Sequence, residues 1–123
     1  MKKIIFTLFF LLTLNVYAVD KSTTYSTEVF NKAQKDGKLV VINSWQETCV
    51  TCRIQIEFLD KAEKDFKGVV FLSFDQERDT EIAKKLKVDY WTTILIFKDN
   101  EEVYRSIGQT DKDKIYSIIN SFL

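Results

Sequence analysis

Proline is missing from all 123 residues and glycine occurs only three times, so the two strongest local punctuators mark almost nothing. Element boundaries must come from hydrophobic periodicity and polar clusters instead. Histidine is missing too, and the only cysteines are Cys49 and Cys52. A structural zinc needs about four nitrogen or sulfur donors, which one copy of this chain does not supply. Nor can two cysteines form the disulfide framework that braces many small secreted domains. Charge of one sign is lacking as well, since eighteen basic side chains balance eighteen acidic ones. Without a clustered excess of Lys and Arg, no nucleic-acid partner is expected.

What is present begins with "MKKIIFTLFFLLTLNVYA", where Lys2 and Lys3 precede an apolar run from Ile4 to Leu14 and the stretch ends Val16-Tyr17-Ala18. This pattern predicts a secretory signal over residues 1–18, cleaved after Ala18. A retained anchor is the weaker alternative, because the run is about half of the ~20 residues a spanning helix needs. No cysteine follows the run to take a lipid. The remaining 105 residues, 19–123, are then one domain with a core of its own. Its compartment would be oxidising, and a periplasmic location is expected.

Along that domain, "TEVFNKAQKDGK" reads as a helix capped by Ser26 or Thr27 and stopped near Gly37. "LVVINSW" (39–45) and "VVFLSFD" (69–75) are apolar, β-branched and too short for helices, so they read as buried strands. Between them, Cys49 to Phe66 is helical in composition, with Ile54, Phe58, Leu59, Ala62 and Phe66 assigned to one side. "TEIAKKLKV" is a short helix, "TTILIF" (92–97) a third strand and "EVYRSIG" (102–108) a fourth, the last two joined by a hairpin at Asp99-Asn100. Thr110 with Asp113 resembles a capping box for a last helix whose apolar face is Ile115, Ile118, Ile119 and Phe122. The predicted order is α, β, α, β, α, β, β, α, with helices on both faces of a mixed sheet.

Cys49 therefore falls where a strand ends and a helix begins. There the first backbone N–H groups lack partners and the macrodipole is positive, so a thiolate is stabilised. Cys52 lies about one turn further on the same side and can attack a mixed disulfide formed at Cys49. A structural disulfide closing so small a loop would constrain the unfolded chain little. Redox chemistry is the favoured reading, with Cys49 attacking and Cys52 resolving.

"LVVINSW", a short loop, C-x-x-C opening a long helix, and "KVDYWTTILIFKDNEEVYRSIG" together resemble the thioredoxin family over residues 27–123. The resemblance implies an α/β thioredoxin fold, with a central mixed sheet of about four strands flanked by helices on both faces. It also implies a thiol-disulfide oxidoreductase acting on protein disulfides, with the Cys49/Cys52 pair as its redox group and no other cofactor or metal. Trp45 matches the family Trp four residues before the first Cys, and Thr48, Trp91, Thr92 and Gly108 map to the substrate groove. "CVTCR" is similar to periplasmic reducing domains of DsbD type. With Val50-Thr51 between the cysteines there is no extra charge, so the expected potential lies nearer thioredoxin (about −270 mV) than DsbA (about −120 mV).

Three departures from the family pattern matter. Asn43 stands at the proton-relay position, where many members place a buried carboxylate, and Phe71 stands where a Lys often faces it. Glu47, the nearest carboxylate, is expected to be solvated, while Thr48 replaces a second Trp. Thr92 replaces the family cis-proline, with Thr93 at the family Thr; a non-proline cis bond costs about 2.5–4 kcal/mol, so the Trp91–Thr92 peptide is expected to be trans.

Two consequences of that replacement compete. In one, Thr92 offers backbone groups and a hydroxyl to a substrate segment and Trp91 an apolar platform; in the other, Thr92 only starts a strand and Trp91 packs in the core. Space beside the sulfurs would also open. The leading expectation is a monomeric periplasmic reductant fed by a membrane electron-transfer partner of DsbD or CcdA type. The alternatives are a dimer whose four thiolates bind zinc or an iron-sulfur centre, and a disulfide oxidase or isomerase.

Overall fold

Two apolar, β-branched runs, 40–45 and 93–98, form the central strands of one sheet, with side chains packed on both faces. The computed structural model describes residues 19 and 21–123, and the leader expected over 1–18 lies outside them. The elements follow the order α1 (Thr27–Lys35), β1 (Val40–Trp45), α2 (Val50–Asp65), β2 (Val70–Asp75), α3 (Thr80–Leu86), β3 (Thr93–Lys98), β4 (Glu101–Ile107) and α4 (Lys112–Ser121). The four strands lie in the order β2-β1-β3-β4. β1 runs parallel to β2 and antiparallel to β3, and β3 and β4 form a hairpin, so the sheet is mixed as expected. Among the described residues no helix is long and apolar enough to cross a membrane.

Alternation along β1 separates two cores. Val40 and Ile42 join Leu72, Phe74, Leu95 and residues of α1 and α3 on one face. Val41 joins Leu59, Ala62, Ile94, Ile96, Ile115 and Ile119, from α2, β3 and α4, on the other. Every residue of β1 is buried, as its position between two strands and beneath both helical layers requires. Burial of a large apolar side chain such as Phe74 or Ile42 is worth about 1.5–3 kcal/mol, so these layers fix the sheet's register.

Three local readings are corrected. On α2 the buried residues are Cys52, Gln55, Ile56, Leu59 and Ala62, whereas Ile54 is 42% exposed. The helix is rolled so that Cys52 points inward, and residues three, four and seven further on follow it. On α4 the cap is Asp111 rather than Thr110: Asp111 Oδ1 accepts from Lys114 N–H at 3.1 Å. Asp outranks Thr as a cap, and Asp113 is too short for the Glu/Gln arm of a capping box. β3 begins at Thr93, leaving Thr92 outside the strand.

Two further boundary signals hold. Ser26 Oγ caps α1 by accepting from Val29 N–H at 3.1 Å. Asp99 and Asn100 have φ of 51° and 65°, the pair of left-handed residues that a type I′ hairpin requires.

Candidate active site

The carboxyl end of β1 delivers the chain through a short loop to α2, and the cysteine pair sits at that junction. Cys49 is the N-cap of α2, its Sγ accepting from Cys52 N–H at 3.1 Å. The two cysteines form a disulfide. Cys52 is fully buried and Cys49 is 8% exposed, so only the first cysteine touches solvent. Both belong to a small apolar cluster with Trp45 and Ile56, against which Val19 packs.

Residues 90–93 pack against this pair. Ser44 anchors them, its hydroxyl donating to Tyr90 C=O at 2.9 Å and accepting from Thr93 N–H at 3.2 Å. Thr93 Oγ1 also donates to Tyr90 C=O, at 2.7 Å. Among the described residues no peptide is cis, so the Trp91–Thr92 bond is trans as expected. Thr92 has φ of 58° and is buried. Its N–H donates to Ser44 C=O at 3.1 Å, and its own C=O accepts from Gly108 N–H at 2.9 Å. The backbone groups expected to meet a substrate are thus engaged inside the fold.

What Thr92 turns toward the sulfurs is its hydroxyl, 3.1 Å from Cys52 Sγ and 3.4 Å from Cys49 Sγ. The space expected beside the sulfurs is therefore filled by the Thr92 side chain.

Gln55 is a site residue that the sequence reading missed. It is fully buried, and its Nε2 donates to Thr92 C=O at 3.3 Å and to Gln109 C=O at 2.9 Å. One side chain thereby ties α2 to both the 90–93 segment and the exit of β4. Its position three residues after Cys52 on an inward face was the available signal. Gln46 does a similar job for the preceding loop, its Oε1 accepting from Thr48 N–H at 2.8 Å and from Thr48 Oγ1 at 2.7 Å. Thr48 is thereby fastened to the loop and gives no apolar platform.

Asn43 is buried, and its Nδ2 finds no partner among the described residues. It lines a pocket of about 60 Å³ with Phe71, Leu59, Asp60, Glu63 and Lys21. That volume holds more than one water, a polar space beside a side chain that cannot titrate. Lys21 Nζ, at the pocket's wall, pairs with Asp60 at 2.7 Å. Glu47 is exposed and lies 3.5 Å from Arg78, away from any proton-transfer contact with the sulfurs.

Exposed apolar side chains lie on the segments that meet here, beside the exposed Thr48 and Thr51. Val50 is 60% exposed, Tyr90 61%, Trp91 39% and Ile107 58%, which removes Trp91 from the core and puts it on the rim. Gly108 follows Ile107 at φ of 76°. Among the described residues no group of three or more His, Cys, Asp or Glu side chains is placed to hold a metal.

Comparison with known proteins follows the same lines. The family profile described as Thioredoxin matches residues 18–121. A thioredoxin H-type of Fagopyrum esculentum is 30% identical over 91 residues, covering 74% of this chain and 78% of that protein. A thioredoxin of Mycoplasma pneumoniae is 31% identical over 81 residues, covering 66% and 79%. Among solved structures, Trxlp from Edwardsiella tarda superposes with a TM-score of 0.72 at 21% identity, over 76% of this chain and 93% of that one, a likeness of fold. Fasciola hepatica thioredoxin gives 0.69 at 26% identity, over 76% and 88%.

Proposed function

This chain belongs to the thioredoxin family, and from that premise we propose that it is a periplasmic reductant of protein disulfides, with Cys49 as nucleophile and Cys52 as resolver. Its activity class is thiol-disulfide oxidoreductase, and its redox group is the Cys49–Cys52 pair. One observation carries the assignment of roles: Cys49 caps α2 and reaches solvent, whereas Cys52 is sealed beneath it.

In the reduced protein a Cys49 thiolate faces the first-turn N–H groups, where the helix dipole favours its charge. It attacks one sulfur of the client disulfide, and the other client sulfur leaves as a thiolate. Cys52 loses its proton and attacks Cys49 Sγ, which releases the second client sulfur and closes the disulfide seen in the structure. Two electrons pass to the client. The exposed Val50, Tyr90, Trp91 and Ile107 supply the apolar surface on which an extended client segment would lie.

The basic and apolar leader over residues 1–18 supports export, and an exported reductant needs electrons from a membrane partner of DsbD or CcdA type. The chain acts as a monomer in this reading, since one copy carries both thiols. Equilibration with glutathione, read by mass after thiol trapping, tests it. A reversible two-electron couple near the thioredoxin value (about −270 mV) is expected. A couple near that of DsbA (about −120 mV) would overturn the reducing direction. A preparation holding zinc or iron with no reversible couple would overturn the redox reading itself.

A further inference from the structure

Thr92 combines two features that rarely meet by accident. A β-branched residue at φ of 58° is a backbone outlier, because left-handed backbone crowds the Cβ of an ordinary residue. The neighbours hold it there: Ser44 C=O takes its N–H, while Gly108 N–H and Gln55 Nε2 both donate to its C=O. These three partners come from β1, the exit of β4 and α2, so the conformation is imposed by tertiary structure. Its result is a buried hydroxyl within hydrogen-bond reach of both reacting sulfurs, at 3.1 and 3.4 Å.

We propose that Thr92 is a catalytic residue whose hydroxyl donates a hydrogen bond to whichever cysteine sulfur carries negative charge during the exchange. The inference rests on the redox reading above and deepens it. In the resting reduced protein the hydroxyl points to the Cys49 thiolate. Once Cys49 is bonded to a client that sulfur is neutral, and rotation about the Cβ–Oγ1 bond turns the same hydrogen toward Cys52. The Cys52 proton passes to water, the nascent thiolate is held by Thr92, and attack on Cys49 Sγ expels the client sulfur, which takes up a proton. Two electrons leave the cysteine pair, two arrive on the client disulfide, and the hydroxyl is unchanged at the end. Because the disulfide form carries no sulfur charge, the bond favours the dithiol form.

Position 43 gives this bond its importance. Asn43 carries no ionisable group, so that position offers no carboxylate base for Cys52. A hydroxyl that stabilises the product thiolate acts on the same step from the other side.

The test compares Thr92→Val with Thr92→Ser in the full chain. Val keeps the β-branch, the volume and the backbone strain but removes the hydroxyl; Ser keeps the hydroxyl. Three readouts apply: ultraviolet thiolate titration, the glutathione equilibrium, and the release rate of a client peptide from its mixed disulfide. A hydrogen bond to a charged group is worth about 1.5–3 kcal/mol, so Thr92→Val is expected to hold roughly tenfold to hundredfold less thiolate at a fixed pH. Its equilibrium with glutathione should move by a similar factor toward the disulfide, and release should slow, while Thr92→Ser stays within a few-fold of the parent. Equal titrations and release rates for Val, Ser and parent would overturn the proposal. If Thr92→Val does not fold, Thr92→Ala takes its place with the same expected losses. A parent chain with no reversible couple would overturn both readings, whereas a cycling parent matched by the Val variant would overturn this one alone.

Discussion

Among the described residues three stretches hold non-glycine residues in left-handed backbone; Lys87 ends α3 that way, and the other two do so for opposite reasons. At Asp99–Asn100 the φ values of 51° and 65° close a hairpin, with residue types that tolerate the region. The conformation there is a local solution to reversing the chain. At Thr92 the φ of 58° belongs to a β-branched residue that local preference would place elsewhere. Ser44, Gly108 and Gln55 hold it, and its hydroxyl rests on the disulfide. Positive φ therefore marks a site only where the residue type is unsuited and distant elements enforce it.

The contrast breaks most completely at the sulfurs. Cys52→Ser should leave the fold intact, end turnover and accumulate a mixed disulfide between Cys49 and client, visible as a mass adduct. No substitution at Asp99 or Asn100 should do this, and a Cys52→Ser protein that still turns over would remove Cys52 from the resolving role.

Gln55→Leu attacks the enforcement. Loss of the Nε2 bonds leaves the Thr92 and Gln109 carbonyls short of a donor, and a destabilisation of about 1–3 kcal/mol is expected from urea unfolding. Wild-type stability would mean that the 90–93 segment holds itself.

A smaller effect separates the two turns directly. Thr92→Gly relieves the left-handed penalty but empties the space its buried side chain fills, so stability should move by no more than about 1 kcal/mol while client release slows. Asn100→Gly should alter stability by no more than about 0.5 kcal/mol and leave release unchanged. Unchanged client release in Thr92→Gly would erase the distinction between a site-forming and a purely local conformation.

The least effect is expected far from both turns, at the other end of α2. Burial and then the hydrogen bond to Asp65, at 2.6 Å, push the Tyr116 phenol up from 10.0 to about 12. A raised folded value means a stabilising contribution present below pH 10.0 and lost as pH climbs toward about 12. Tyr116→Phe should flatten that alkaline slope in unfolding curves, by little, because the pair lies near solvent. A slope of the same size in the variant would assign it to other groups.

Much of this architecture was legible in the sequence, and the reasons are physical. Val40 to Trp45 and Thr93 to Lys98 are β-branched and apolar because both faces of the sheet are covered, and that composition is visible without coordinates. The Asp99-Asn100 turn was legible because its chemistry is local. Cys49 as the first residue of a helix, with Cys52 one turn on, followed from the strand before and the amphipathic run after.

Less visible was anything that depends on roll or on distant contacts. Ile54 looked inward and is exposed, while Gln55 beside it is sealed, since a small rotation of α2 exchanges them and periodicity alone does not fix that rotation. That Thr92 lacked a proline ring was plain. That its backbone would be taken up by Ser44, Gly108 and Gln55, leaving only a hydroxyl for the sulfurs, depends on three elements meeting.

The Cys49 sulfur is both reagent and cap, and this gives the molecule a built-in gauge. Cys52 N–H points at that sulfur from 3.1 Å in the oxidised form. When the sulfur becomes a thiolate the same amide meets a stronger acceptor, and when it joins a client it meets a neutral one again. The proton resonance and hydrogen-exchange rate of that one amide should thus step through distinct values in the disulfide, dithiol and client-bound states. Catalytic progress becomes readable from a backbone atom that never enters the reaction.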